Sequence, residues 1–278
     1  MKIALATCLE LPEPDHDEAI TLEAFRHAGH DVAMLAWDDP DADATPFDAV
    51  VIRSTWDYPM RPDDFSEWVR RTARQTLLLN PAEMVLENLD KRYLNRLAAS
   101  GIAVVPTRFV APGEPIGPMD AAFVLKPSVG AGSMDTRCFG PGENVEAQDW
   151  LADTAQGRTF MLQPYLRTVE TVGEQSIVVI GGKPTHRIRK RPRFLEDDES
   201  VDGPFPVETE FARLAAEALA PYGPALYARV DVMQADDGRW LVSEVELIEP
   251  SLFFKQNPDA LAPFVRAVED WVAEHRPQ

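Results

Sequence analysis

Cysteine is nearly absent: Cys8 and Cys138 are the only two in 278 residues, far apart and without metal-ligand spacing. That excludes a disulfide framework and a cysteine zinc site; both thiols read as plain core or loop residues. Missing too is any run near the roughly 18 apolar residues of a membrane-spanning helix. The apolar start Met1 to Leu9 is shorter than a signal-peptide core and meets acids at once. The chain therefore reads as cytoplasmic, with no membrane partner. Positive charge is scarce, with 27 Lys and Arg against 46 Asp and Glu for a formal charge of −19. Such a field repels phosphate backbones and anionic lipid, so nucleic acid is not an expected partner. Internal repeats and low-complexity tracts are also absent.

What remains is ordinary globular material, 45% hydrophobic and 26% charged, which excludes collagen-like, disordered and coiled-coil classes. The length suits one large domain or two to three lobes, and proline-rich and acidic breaks suggest three. Residues 1–88 alternate strand-like runs (Lys2 to Ala6, Val32 to Ala36, Ala49 to Ile52, Leu77 to Leu79) with helical patterns near 17–28 and 62–74. That alternation predicts an α/β lobe on a parallel sheet. Residues 89–172 open with a helix over about 90–100, N-capped by Asp90 and stopped by Gly101, and continue as a largely antiparallel α+β lobe. Residues 173–278 form a second α+β lobe. In its closing helix Leu261, Phe264, Val265, Val268 and Val272 make one apolar stripe, read as core.

The strands at 225–233 and 239–247 carry the most chemistry. Asp236-Asp237-Gly238 favours a tight hairpin, and a two-residue loop at 237 and 238 opposes residues whose numbers sum to 475. Asp231 then faces Glu244 and Arg229 faces Glu246, all on one sheet face, with Leu226, Ala228, Val230 and Val232 on the other. Opposed like charges weaken a sheet. A divalent cation would turn the same acids into ligands, whereas a solvated acidic face is the alternative. Upstream, the strand Phe123 to Lys126 runs into Pro127-Ser128-Val129-Gly130-Ala131-Gly132-Ser133, a small-residue loop able to cover phosphates or merely to connect. It fits neither the phosphate-loop nor the dinucleotide motif. Met161 to Leu166 reads as a strand leaving its sheet through Pro164, with Glu170 and Glu174 behind it.

The order of these parts resembles the ATP-grasp superfamily of carboxylate–amine ligases over nearly the whole chain. Asp90-Lys91, opening a helix ahead of Ala103-Val104-Val105-Pro106-Thr107, and Leu125-Lys126-Pro127 match that family's two phosphate lysines. Within it, Arg53-Ser54-Thr55-Trp56-Asp57-Tyr58, Gly173-Glu174-Gln175-Ser176 and Glu249-Pro250-Ser251-Leu252-Phe253 resemble the glutathione synthetase-like branch and its D-cycloserine synthetase-like subfamily. The resemblance implies ATP and Mg²⁺ between the second and third lobes. Phosphates would meet Lys91 and Lys126 and a lid at Ser128, Gly130, Gly132 and Ser133, while Arg189 and Lys190, drawn from the basic run 187–193, are candidates for contact with phosphate or carboxylate. The hinge Gln163, Tyr165 and Leu166 would read adenine, and Glu174, with Glu170 as rival, would bind ribose. Asp231, Glu244 and Glu246 would hold the metal, although many relatives carry asparagine at the third position, and Arg229 would stabilise an acylphosphate and the tetrahedral oxyanion.

Thr185 to Lys190 resembles a motif of the same branch, with Arg187 in place of a small residue, which implies an altered pocket wall. Basic residues crowd 187–193 beside the acids Glu196 to Glu199, so Arg191 and Arg193 could equally pair with those acids. His186 is the one histidine near the proposed site; His16, His27, His30 and His275 read as surface residues. The loop Arg53 to Tyr58 leaves the carboxyl end of a parallel strand, where such sheets place ligand groups. Ser54, Thr55 and Asp57 could hold an amino-acid-like substrate beside Trp56, with Arg53 and Ser251 added by resemblance. A packed tryptophan and an Asx-type turn would look the same. The function expected is ADP-forming carboxylate–amine ligation, inter- or intramolecular, through an acylphosphate on a small amino-acid-like substrate, with antibiotic biosynthesis implied by the subfamily. Its competitors are a small-molecule kinase on the same fold and an ATP-binding module without turnover; a homodimer is left open.

Overall fold

The computed structural model describes residues 1–191 and 201–275, so Arg193 and the acidic run Glu196 to Glu199 lie outside the described residues. The first sheet comprises β1 (Lys2–Thr7), β2 (Asp31–Ala36), β3 (Ala49–Ser54) and β4 (Leu77–Leu79), ordered β2-β1-β3-β4 with every pairing parallel. Parallel sheets are covered on both faces, which is why these strands are nearly continuous apolar runs. Ile3 and Leu5 enter one core with Phe25 of α1 (Glu18–His27), while Ala4 and Ala6 enter another with Phe65, Trp68 and Val69 of α2 (Pro62–Gln75).

A second, antiparallel sheet joins β5 (Arg108–Val110), β6 (Phe123–Pro127), β7 (Arg137–Phe139) and β8 (Phe160–Pro164) in the order β5-β8-β6-β7, covered by α5 (Asn144–Ala155). The third comprises β9 (Glu174–Ile180), β10 (Lys183–Lys190), β11 (Val201–Phe205), β12 (Tyr227–Gln234) and β13 (Trp240–Glu246), ordered β11-β10-β9-β12-β13 and antiparallel. One face, with Ala228, Val230 and Val232, packs on α3 (Ala82–Asn88), α4 (Tyr93–Ala99) and α6 (Thr209–Leu219). The other face is divided. Val178, Ile180, Ile188 and Tyr227 join the first sheet and Phe264, Val265, Val268 and Val272 of α7 (Leu261–His275) in one core, and the remainder opens onto a cleft. The closing helix is thus core, as its stripe predicts, but the core is shared with the first lobe.

Polar groups lock this junction. Asn80 donates to the carbonyls of Tyr227 and Leu247 and accepts from the Leu226 amide, and Asn88 does the same for Val245 and Leu247. Buried amides of this kind are costly unless satisfied, so they fix how the lobes meet. Some elements escape the sequence patterns: α3 follows Pro81 and has only 7 residues, β5 and β7 have 3 each, and β11 contains Gly203 and Pro204. Asp90 does not cap α4; its Oδ1 accepts the Arg92 amide at 2.9 Å in an Asx turn, and the helix begins later. Gly101, at φ +83, ends it. Among the described residues no helix is long and apolar enough to cross a membrane.

Candidate active site

Arg229 lies opposite Glu246 and Asp231 opposite Glu244, as the sequence predicts, but by another route. The Ala235 amide bonds the Arg239 carbonyl at 2.8 Å, so the loop holds three residues, 236–238, ending on Gly238 at φ +86. This shifts the pairing by one, to Gln234 opposite Trp240. An extra residue in β13, Ser243, shifts it back before the acids are reached. Such bulges re-aim side chains, and here the Ser243 hydroxyl donates to Glu174 at 2.8 Å.

The acids line a cleft of about 690 Å³, within the usual range of small-molecule sites. Also on its walls are Lys91, Lys126, Gly130, Gly132, Ser133, Gln163, Tyr165, Leu166, Glu174, Lys190, Arg229, Trp56 and Ser251. Lys126 Nζ donates to Glu244 at 2.5 Å; Lys91 Nζ lies 3.7 Å from the same carboxylate and donates to the Gly130 carbonyl at 2.6 Å, tying the small-residue loop down. Lys190 sits between Asp231 at 2.9 Å and Glu174 at 3.0 Å. Arg229 grips Asp231 through Nε and Nη2, each at 2.9 Å, and also bonds Glu246.

The like-charge conflict of the paired strands is therefore met by the protein's own cations. Burial would raise the Asp231 carboxyl, but Arg229 and Lys190 hold it well below the usual range; Lys126 and Lys91 do the same for Glu244. Glu246 goes the other way, raised by burial and by Asp231 and Glu244, because it shares its guanidinium with Asp231. Among the described residues no group of three or more His, Cys, Asp or Glu stands ready to hold a metal. The chemistry of the donors nevertheless fits Mg²⁺, since all three are carboxylates on adjacent strands and hard cations prefer oxygen.

Several expected contacts are not in the cleft. Arg189 alternates away from Lys190 and bonds Asp202 at 2.5 Å; Arg187 lies on the opposite face, against Glu208 and Phe211, and is no pocket wall. Ser128 is buried, with its carbonyl accepting the Lys91 amide. Arg53 donates to the Pro250 carbonyl at 3.1 Å, Ser54 to Thr7 at 3.0 Å, and Asp57 accepts from Trp37 and Arg61. Thr55 is fully buried. Only Trp56 of the five residues Arg53 to Asp57 reaches the cleft. Glu170 is exposed and accepts from Tyr165, so Glu174 is the acid inside. His186 is buried with Nε2 3.1 Å from the Leu252 carbonyl, and His30 is not a surface residue, its side chain being 10% exposed beside Glu269. Cleft residues not singled out from the sequence include Glu249, Tyr58, Met233 and Phe253. Glu249 stands beside Ser251 in a quoted motif, but no charge pattern marks which of the two matters.

Residues 3–80 match a family model described as the N-terminal domain of D-cycloserine synthetase DcsG. The cycloserine biosynthesis protein DcsG of Streptomyces lavendulae is 31% identical over 280 residues, covering 92% of this chain and 94% of the relative. The crystal structure of D-cycloserine synthetase DcsG superposes with a TM-score of 0.88 at 31% identity, over 98% of this chain and all 100% of the other. An ATP-grasp RimK domain protein from Sphaerobacter thermophilus matches at TM-score 0.71 and 17% identity, covering 98% of this chain and 100% of its own. D-alanine–D-alanine ligase from Bacillus anthracis, solved with ATP, matches at 0.71 and 12%, covering 99% and 98%; these two show the fold alone. With a curated relative 31% identical across nearly its full length, the chain belongs to the D-cycloserine synthetase family of ATP-grasp ligases.

Proposed function

We propose that the protein is an ADP-forming ligase that activates the carboxylate of a small amino-acid-like molecule as an acylphosphate. An amine of the same or a second molecule then attacks the acyl carbon, forming the C–N bond as phosphate leaves. The observation that carries this reading is the convergence of Lys91, Lys126, Lys190 and Arg229 on Asp231, Glu244 and Glu246 in one cleft, with Trp56 and Ser251 on its walls. The lysines neutralise the ATP phosphates, Gln163, Tyr165 and Leu166 border adenine, Glu174 takes the ribose, and Gly130 to Ser133 close over the phosphates. Arg229 stabilises the acylphosphate and the oxyanion that follows it. Asp231, Glu244 and Glu246 would hold Mg²⁺, which when bound neutralises phosphate charge.

The kinase alternative is not favoured, because the relatives are ligases. The name of the Streptomyces protein supports cyclo-ligation like that of D-cycloserine synthetase, and a place in antibiotic biosynthesis. A cytoplasmic location belongs to the same proposal. So do lobes at 1–88, 89–172 and 173–278, supported by one sheet falling within each range. The test is release of ADP and phosphate with Mg²⁺ across a panel of amino acids and O-ureidoserine, with hydroxylamine trapping the acylphosphate as a hydroxamate. Transfer to a hydroxyl without phosphate release, or activity confined to large peptides or acyl chains, would overturn it.

A further inference from the structure

Residues 249–255, which follow β13, are pinned at nearly every backbone position. Trp56 Nε1 donates to the Glu249 carbonyl at 3.1 Å, Arg53 Nη1 to Pro250 at 3.1 Å and Arg229 Nη1 to Ser251 at 3.4 Å, while His186 Nε2 lies 3.1 Å from the Leu252 carbonyl. Asp17 accepts the amides of Phe254 and Lys255 at 3.0 and 2.9 Å. Glu249 and Ser251 line the cleft, Leu252 and Phe254 fill the core beneath, and Phe253 borders both. With four successive carbonyls each already engaged once, the charged acceptor this rigid strap offers a ligand is a side chain.

Of these, Glu249 is unusual. Asp231, Glu244, Glu246 and Glu174 are each bonded to a lysine or arginine. Glu249 is only 8% exposed, yet among the described residues no other side chain is hydrogen-bonded or ion-paired to its carboxyl. Its own backbone amide bonds the carboxyl, but a buried carboxylate without a charged partner is costly, and a bound ligand that brings cationic N–H donors reduces the cost. Trp56 and Tyr58 line the same cleft, and aromatic walls favour a cationic group.

Resting on the ligase reading above, we propose that Glu249 is the specificity-determining residue for the substrate's nitrogen. Its carboxylate receives the N–H donors of an ammonium or comparable cationic group, while Arg229, anchored to the same strap through Ser251, takes the carboxylate to be activated. Burial and the neighbouring Glu246 push the Glu249 carboxyl up to about 8.

Calorimetry with the full chain and Mg·ADP tests this, titrating serine against 3-hydroxypropionate and O-ureidoserine against its desamino analogue. Wild type should prefer the amino compound by about tenfold or more. Glu249→Gln should bring that preference within about twofold while binding of the desamino compounds and ADP holds, and Glu249→Asp should retain part of it. A merely structural role weakens both members of a pair alike and leaves the ratio unchanged. Absence of the preference in wild type, or its survival in Glu249→Gln, overturns the proposal. Failure of the ligase reading shows separately, as absent hydroxamate formation with the nitrogen preference intact.

Discussion

The β12–β13 hairpin and the loop after β3 are both rich in residues able to do chemistry, but they use them in opposite ways. The hairpin turns Arg229, Asp231, Glu244 and Glu246 into the cleft; of Arg53 to Asp57, which run from the end of β3 into the loop, only Trp56 turns in. In paired strands the side-chain period is two, so the register decides direction for every residue at once. A loop has no period. Its Asp57 goes where partners wait, Trp37 and Arg61, while Arg53 and Ser54, the last two residues of β3, are taken up by the Pro250 carbonyl and Thr7.

The sharpest way to break this contrast is Glu244→Gln. Turnover with Mg·ATP should fall at least about 100-fold, because charge compensation at the phosphates is lost. Sequence alone expects stability to rise slightly through relief of the Asp231–Glu244 repulsion. The structure reverses that sign: Lys126 and Lys91 lose their shared carboxylate, and the melting temperature should drop by the equivalent of about 1–3 kcal/mol. A fully active variant would remove Glu244 from the site.

The loop is tested by Arg53→Ala against Trp56→Ala. Arg53 is 3% exposed and holds the Pro250 carbonyl, so its loss should cost about 2–3 kcal/mol in denaturant unfolding with ATP affinity unchanged. Trp56→Ala should instead raise KM for the amino-acid substrate with a smaller loss of stability. The reverse pattern would place Arg53, not Trp56, against substrate.

His186 supplies a pH test of the strap. Burial lowers its imidazole from 6.5 to about 4, so the unfolded chain takes up the proton first. The stability this contributes is complete above pH 6.5 and is lost as pH falls to about 4, amounting to about 1–3 kcal/mol. Chemical denaturation across that window should show a shallower acid loss for His186→Gln, and equal slopes would rule the residue out. The smallest effect belongs to Arg189→Ala. Its pair with Asp202 is more than a third exposed, so stability should fall by less than about 1 kcal/mol and ATP affinity should stay within about twofold. Lys190→Ala, one residue on and inside the cleft, should weaken ATP binding about tenfold.

Much of the site is legible wherever local pattern decides direction. The parallel first sheet, the apolar stripe of α7, the acids of the hairpin and the lysine near the end of β6 all follow from periodicity and turn chemistry. Even so, the hairpin register comes out right through two offsets that cancel, a longer turn and the Ser243 bulge, and neither leaves a local mark. Arg189 and Lys190 are indistinguishable by composition, and only the pairing of β10 with β9 and β11 shows which turns inward. By itself the sequence determined the types of the longer elements, the acid-bearing face and the family, because each depends on residues within a few positions or on the order of motifs. The tertiary structure alone decided that lysines and Arg229 neutralise the acids, that Arg53 braces a strap, and that Glu249 stands in the cleft with no other side chain among the described residues bonded to its carboxyl. Those outcomes depend on groups up to 197 positions apart, as Arg53 and Pro250 are, and no local period reports on such contacts.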